Sequence, residues 1–186
     1  MRRVPVFLLV LIVLLTGCSA NMGIDRAVAL RQELLSGNGC SFDATVTADF
    51  TDKFFTFQMQ CVVNKDGTMD FTVTQPETIA GISGQISAEE GKLKFNDQIL
   101  SFELMADGQV SPISAPWLLM RTIQGGYISA GGKDGELFLF EIDDSYEENP
   151  LRLDVWLGLD NFPVTADIIW SGTRVASVSV DNFRLL

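Results

Sequence analysis

The feature that most constrains the fold is an alternation of apolar and polar residues that begins after Gly39. Apolar residues at every second position in 42–50, 55–63 and 69–73 can all point to one face of a sheet, because successive side chains of a strand point to opposite faces. Only short turns separate these stretches. The pattern therefore predicts three neighbouring strands in an antiparallel meander that share one apolar face.

The rest of the chain continues in the same manner, with short apolar stretches between turn residues such as Pro76, Gly91 and Asn96. Further strands are predicted at residues 79–87, 92–95, 98–104, 137–142, 151–159, 164–170 and 174–183.

Two segments show helical spacing instead. In residues 24–35 the apolar positions Ile24, Ala27, Leu30 and Leu34 recur every three or four residues, and Gly37 follows as a stop signal. In residues 111–124 a Ser-Pro start precedes a stripe that includes Trp117 and Met120, and two glycines follow. The chain is therefore predicted to be of the α+β class, with far more strand than helix.

About ten strands with one apolar face each must be covered by two short helices. The sheet could close into a barrel, split into a sandwich, or curve into an open half-barrel whose hollow is filled by helices and a ligand. The long connection over residues 106–126 carries the second helix and suits a lid across a hollow. We therefore predict a curved antiparallel sheet that forms an incomplete half-barrel, covered by an N-terminal helix and a lid helix.

The first residues have the pattern of an export signal. Arg2 and Arg3 precede an apolar stretch over residues 4–15, which is too short to span a bilayer. Leu15-Thr16-Gly17-Cys18 follows and resembles the lipobox of bacterial lipoproteins, in which the cysteine is acylated. The alternative is an ordinary signal peptide with an incidental cysteine. We expect residues 1–17 to be a signal peptide, and residues 18–186 to be one domain that the lipid on Cys18 holds on the exported side of a bacterial membrane.

Charge and composition exclude several classes of function. With 13 Lys and Arg against 24 Asp and Glu, the formal net charge is −11, which disfavours binding to nucleic acid. The chain contains no histidine, so Ser-His or Cys-His nucleophilic catalysis and His-ligated metal sites are impossible. We expect a non-enzymatic protein without cofactor or metal, although Asp and Glu pairs could still act as acid and base.

Two polar features have simple structural interpretations. Glu141, Asp143, Asp144, Glu147 and Glu148 could offer oxygen ligands to Ca²⁺, but their spacing matches no EF-hand loop, and a solvated acidic turn is favoured. Ser83 lies in no nucleophile motif and is expected to be structural.

The remaining cysteines, Cys40 and Cys61, lie with the apolar residues of adjacent predicted strands. An export compartment permits a disulfide. With a two-residue turn at Thr51 and Asp52, however, Phe42 would face Cys61 and leave Cys40 a diagonal neighbour. The sequence leaves this disulfide open.

Several motifs resemble the LolA/LolB-like lipoprotein carrier superfamily. They are the lipobox and the N-terminal helix, the phenylalanine-rich meander, residues 72–76 leading into 79–82, the Ser-Pro helix at 111, and the closing segments 161–164, 168–170 and 180–183. The resemblance spans nearly all of the chain after the signal. It implies an incomplete antiparallel barrel with a helical lid around an apolar cavity that accepts acyl chains. A lipidated Cys18 would make the chain similar to the anchored members of that superfamily rather than to a free carrier.

The expected function is binding or transfer of a lipid or lipoprotein through its acyl chain, driven by hydrophobic transfer into the hollow. The alternative is a packed half-barrel that binds an envelope protein, with no lipid ligand and a partner that the sequence does not identify. The predicted cavity-lining residues are Phe57, Met59, Phe71, Phe102, Trp117, Met120, Phe140 and Trp170.

Replacing Cys18 with alanine tests the anchor. Because anchoring is assigned to the acyl chains alone, the Cys18→Ala protein should leave the membrane fraction or accumulate as unprocessed precursor. Labelling with radioactive palmitate measures this directly, and continued labelling of the variant would contradict the assignment.

Overall fold

The computed structural model describes residues 22–50, 53–96, 98–106, 109–148 and 150–186, so the predicted signal and Cys18 lie outside the described residues. The helices are α1 (Met22–Ser36) and α2 (Ala115–Gly125), and a 3₁₀ turn at Pro112–Ser114 precedes α2. No helix among the described residues is long and apolar enough to cross a membrane.

The strands are β1 (Gly39–Phe50), β2 (Lys53–Asn64), β3 (Met69–Gln75), β4 (Ser83–Ile86), β5 (Gly91–Phe95), β6 (Gln98–Phe102), β7 (Met105–Ala106), β8 (Gln109–Val110), β9 (Tyr127–Asp134), β10 (Leu137–Asp143), β11 (Arg152–Leu157), β12 (Pro163–Trp170) and β13 (Thr173–Leu185).

Eleven of these strands form one antiparallel sheet, and β7 and β8 form a separate two-stranded ribbon. The order in the large sheet is β6-β5-β4-β3-β2-β1-β13-β12-β11-β10-β9. Pairing of β1 with β13 joins two meanders at the centre, and β6 and β9 remain as the two edges. The predicted open antiparallel sheet with two covering helices is confirmed.

The alternation in the first meander places its apolar residues as predicted. On β1 the residues at 40, 42, 44, 46 and 48 are all buried. Phe50 pairs with Lys53 across the turn, so Phe42 lies opposite Cys61 and Cys40 lies opposite Val63. We call the face that carries these buried side chains the inward face.

The structure differs from the predicted strands in two places. The strand expected at 79–87 begins only at Ser83, because the preceding residues form hydrogen-bonded turns in which the Ile79 amide donates to the Pro76 carbonyl at 3.0 Å. Gly81 has a φ of 87° there, which an extended strand does not accommodate. Strand β9 was not predicted at all, since its sequence contains Gly131 and Gly132, and glycine is depleted in strands.

Gly23 of α1 and Gly131 of β9 allow α1 to lie unusually close to the sheet. A Cβ on Gly23 would lie 2.4 Å from the Gly132 nitrogen and 2.4 Å from the Leu139 carbonyl oxygen. A Cβ on Gly131 would lie 2.8 Å from the Ile24 nitrogen. Backbone therefore packs directly on backbone where α1 crosses β9 and β10.

Polar contacts hold the same end of α1. The Arg26 guanidinium lies 3.8 Å from the centre of the Phe138 ring and donates to the Leu159 carbonyl at 3.4 Å. The Asn161 side-chain amide donates to the Arg26 carbonyl at 3.3 Å. These contacts join α1 to the β11–β12 turn as well as to β10.

The core lies between the inward face and the two helices. Helix α1 covers β9 and β10, whereas α2 lies over β1, β2, β10 and β13 and also contacts α1. The fully buried side chains of the helices include Ala27, Leu30, Leu119 and Ile123. Burying each large apolar side chain stabilises the fold by about 1.5–3 kcal/mol, so this interface dominates stability.

The close approach of α1 predicts that Gly23→Ala lowers the free energy of unfolding by about 1–3 kcal/mol, because the new Cβ would collide with backbone atoms that cannot move aside. Gly125→Ala is the matched control, since a Cβ there meets no atom within 4 Å. Chemical denaturation of both variants measures the difference. Equal stability of the two variants would contradict the packing of α1.

Candidate functional site

The eight predicted lining residues lie in or against one apolar cluster under α2. Six of them are at most 4% exposed, namely Phe57, Met59, Phe71, Trp117, Met120 and Phe140. Phe102 and Trp170 are half-buried and pack against this cluster. The structure therefore brings the predicted residues together, with most of them packed as core.

Two aromatic rings lie over glycines of neighbouring strands. A Cβ on Gly84 would lie 2.7 Å from the ring of Phe71, which is its cross-strand partner. A Cβ on Gly91 would lie 2.1 Å from the ring of Phe102, again its partner. Because glycine has no side chain, each ring can lie flat on the inward face, and the face continues as an apolar surface toward β6.

Helix α2 is held at both ends by side chains from other elements. The Trp117 indole donates to the Gly67 carbonyl in the β2–β3 turn at 2.9 Å. At the other end, Arg31 of α1 donates to the Ile123 carbonyl at 2.6 Å and to the Gly126 carbonyl at 2.8 Å. Arg31 thus satisfies carbonyls that have no partner at a helix C-terminus. Burial lowers the pKa of Arg31, although an arginine remains charged at neutral pH.

Three residues that the sequence analysis did not select extend the inward face beyond the helices. Phe55 lies opposite the buried Ala48 and its ring centre lies 5.7 Å from that of Phe57. Phe95 follows Leu93 by two positions, and Leu100 lies opposite Leu93. Phe55 and Phe95 are each 45% exposed and Leu100 is 54% exposed. Their alternation was visible in the sequence, but their exposure depends on which parts of the sheet the other elements cover.

Cys40 and Cys61 are both buried free thiols in the structure. Cys40 Sγ lies 3.8 Å from Met120 Sδ, which places it directly under α2. Burial raises the pKa of the Cys40 thiol from its ordinary value of 9.0 to about 12. Burial also raises the pKa of Cys61, and the neighbouring Cys40 and Asp43 add to the shift.

The acidic segment is engaged in ordinary polar contacts. Glu141 pairs with Arg152 at 2.8 Å, and Asp144 accepts a hydrogen bond from the Leu151 amide at 2.9 Å. Asp144, Glu147 and Glu148 are exposed. Within the part of the chain that the structure describes, no group of three or more Cys, Asp or Glu side chains could hold a metal ion. Ser83 lies in β4 opposite Thr72.

The state of the two thiols predicts their reactivity. In a chain that starts at Asn21, both should resist iodoacetamide while folded and react once denatured without reductant, because buried neutral thiols are poor nucleophiles. Mass spectrometry counts the added groups, and thiols that react only after reduction would indicate a disulfide.

As the pH rises above 9.0, only the unfolded thiols ionise, so the free energy of unfolding should fall between pH 9.0 and about 12.

No protein-family model and no curated protein matches the chain. Among solved structures, it is similar to a LolA superfamily protein from Nitrosomonas europaea at 7% identity, covering 91% of this chain and 94% of that one with a TM-score of 0.46. It is also similar to LprF from Mycobacterium bovis at 9% identity, covering 90% and 95% with a TM-score of 0.45. The lipoprotein LppX from Mycobacterium tuberculosis matches at 10% identity, covering 87% and 92% with a TM-score of 0.41.

At identities of 10% or less, these similarities concern the arrangement of strands and helices and do not extend to a ligand.

Proposed function

We propose that the protein is a membrane-anchored lipoprotein that binds an acyl chain, from a lipid or a lipidated protein, on the inward face of its open sheet. One observation carries the proposal: the apolar inward face continues past the helices that cover it. Phe55 and Phe95 lie on that face, and almost half of each side chain remains exposed. An exposed apolar surface joined to a core is typical of a binding site.

An acyl chain suits this surface because the surface offers contact area and few directional polar groups. Each methylene that leaves water contributes about 0.8 kcal/mol, so a chain of several methylenes laid on either exposed ring would bind without hydrogen bonds. The polar end of the ligand would stay in solvent. The protein would therefore select for an apolar chain rather than for a particular headgroup.

The predicted lining residues divide into two groups under this proposal. Phe102 and Trp170 are half-buried and pack against the core, and Phe102 lies two positions from the exposed Leu100 on β6. The six buried residues, two of which belong to α2, are reached only if the core opens, and a movement of α2 would break the hydrogen bonds of Trp117 and Arg31. Binding on the exposed part therefore comes first, and deeper binding costs the contacts that hold α2.

The proposed anchor would keep this surface near membrane lipid. Only residues 19–21 separate Cys18 from the start of α1 at Met22. From Cys18 to Met22 the chain takes four residue steps, so it can span at most about 14 Å at ~3.5 Å per residue. The domain would thus stay close to the exported face of the membrane, and no enzymatic step is required for binding or transfer of the ligand.

A second candidate is a packed half-barrel that binds an envelope protein and no lipid. It is supported by the burial of six predicted lining residues in one cluster. A filled hollow has no room for a guest until the core opens, and tightly packed cores resist such opening. The two candidates differ in whether the isolated domain binds an acyl chain.

Binding of a fluorescent fatty acid to a chain starting at Asn21 tests the proposal. Phe55→Asp should weaken binding about tenfold or more, because it places a charge where the apolar chain would lie, and tenfold corresponds to about 1.4 kcal/mol. Phe54→Asp is the matched control, since Phe54 is the adjacent phenylalanine, points to the opposite face and is 71% exposed.

Saturable binding that both variants weaken equally would contradict the assigned face. The absence of saturable binding by the unmodified domain would overturn the proposal and favour the packed interaction protein.

A further inference from the structure

The turn between β11 and β12 holds a leucine in water. The Gly158 amide donates to the Phe162 carbonyl at 2.9 Å, and the Asn161 amide donates to the Gly158 carbonyl at 3.1 Å, so the backbone of the turn is fixed. Leu159 lies inside this turn and is 77% exposed. Glycine, proline, asparagine, aspartate and serine are the usual residues of turns. A large apolar side chain is therefore held away from the domain at a position where polar residues are common.

This turn is attached to the first turns of α1. Arg26 donates to the Gly158 carbonyl at 3.5 Å and to the Leu159 carbonyl at 3.4 Å, and the Asn161 side-chain amide donates to the Arg26 carbonyl at 3.3 Å. Met22, the first residue of α1, is 42% exposed. Met22 and Arg26 are separated by a helical rise of about 6 Å, at 1.5 Å per residue. The start of α1 and the turn therefore lie at the same end of the domain.

A third apolar side chain lies beside the turn. A Cβ on Gly158 would lie 3.3 Å from Val164 Cγ2, so Val164 packs against the turn, and 39% of it remains exposed. Met22, Leu159 and Val164 thus present apolar surface at one end of the domain. We call these three residues the α1-end surface.

The length of chain before α1 identifies what lies next to this surface. Only residues 19–21 separate Cys18 from Met22, and this stretch spans at most about 14 Å. The acyl chains proposed on Cys18 are embedded in a bilayer, so the surface of that bilayer must lie within this distance of Met22. A bilayer is therefore already beside the α1-end surface, whereas a partner protein would have to enter the same narrow gap.

We propose that the α1-end surface docks on the bilayer that carries the anchor, with Leu159 entering the interface between headgroups and acyl chains. This inference rests on the proposed lipid anchor. Three apolar side chains bind a membrane weakly on their own, but the short tether raises their effective concentration at the bilayer and populates the contact. Asp25 and Asp160 are exposed beside the surface, so docking should favour neutral over anionic headgroups.

The test is site-directed spin labelling of the full, lipidated chain in vesicles of phosphatidylcholine. Leu159→Cys carries the nitroxide at the proposed contact, and Phe54→Cys is the matched control. The two native side chains are 77% and 71% exposed, and Phe54 lies beside the β1–β2 turn, at the opposite end of the sheet from the β11–β12 turn. Cys40 and Cys61 are buried, so the introduced thiol takes the label, and their continued protection shows that each variant is folded.

We expect the Leu159→Cys label to collide several-fold less often than the Phe54→Cys label with a water-soluble nickel chelate. It should collide more often with oxygen, because oxygen is more soluble in the bilayer than in water. Equal collision rates for the two labels would overturn the proposal. A Leu159→Cys label that is shielded from both the chelate and oxygen would lie against protein, which would also overturn it.

Flotation of the labelled chain with the vesicles reports on the anchor separately. A chain that does not float contradicts the anchor and this inference together, whereas a floating chain whose Leu159→Cys label remains in water contradicts the docking alone. Fatty-acid binding by the chain starting at Asn21 depends on neither result, so failure of that proposal is distinguishable from failure of this one.

Discussion

The structure depends on one constraint: an antiparallel sheet of eleven strands has an apolar face that two helices, the 3₁₀ turn at Pro112–Ser114 and β8 cover in part. Burial of that face is the largest stabilising contribution, because each large side chain removed from water contributes about 1.5–3 kcal/mol. A single hydrogen bond contributes about 1 kcal/mol by comparison. The positions of α1 and α2 on the sheet therefore decide which parts of the face form a core and which remain available.

The polar contacts of α1 and α2 fix where these helices lie on the sheet more than they add to the free energy of unfolding. Trp117 and Arg31 attach the two ends of α2 to the β2–β3 turn and to α1. Gly23 and Gly131 let α1 approach the backbone of β9 and β10. With both helices held in this way, parts of the inward face remain uncovered, including Phe55 on β2 and Phe95 on β5.

The sequence alone determined the class of fold. Alternation over β1 to β3, together with a two-residue turn, predicted the register that places Phe42 opposite Cys61, because both are local properties of the chain. It also predicted both helices from their apolar spacing. It could not predict β9, whose glycines are unfavourable in a strand until α1 packs against them, or the late start of β4 after the turns at 76–82. Nor could it separate buried Phe57 from exposed Phe55, two residues apart on the same face. That difference is set by which parts of the sheet the elements above it cover, and the positions of those elements depend on contacts between residues that are distant in the chain.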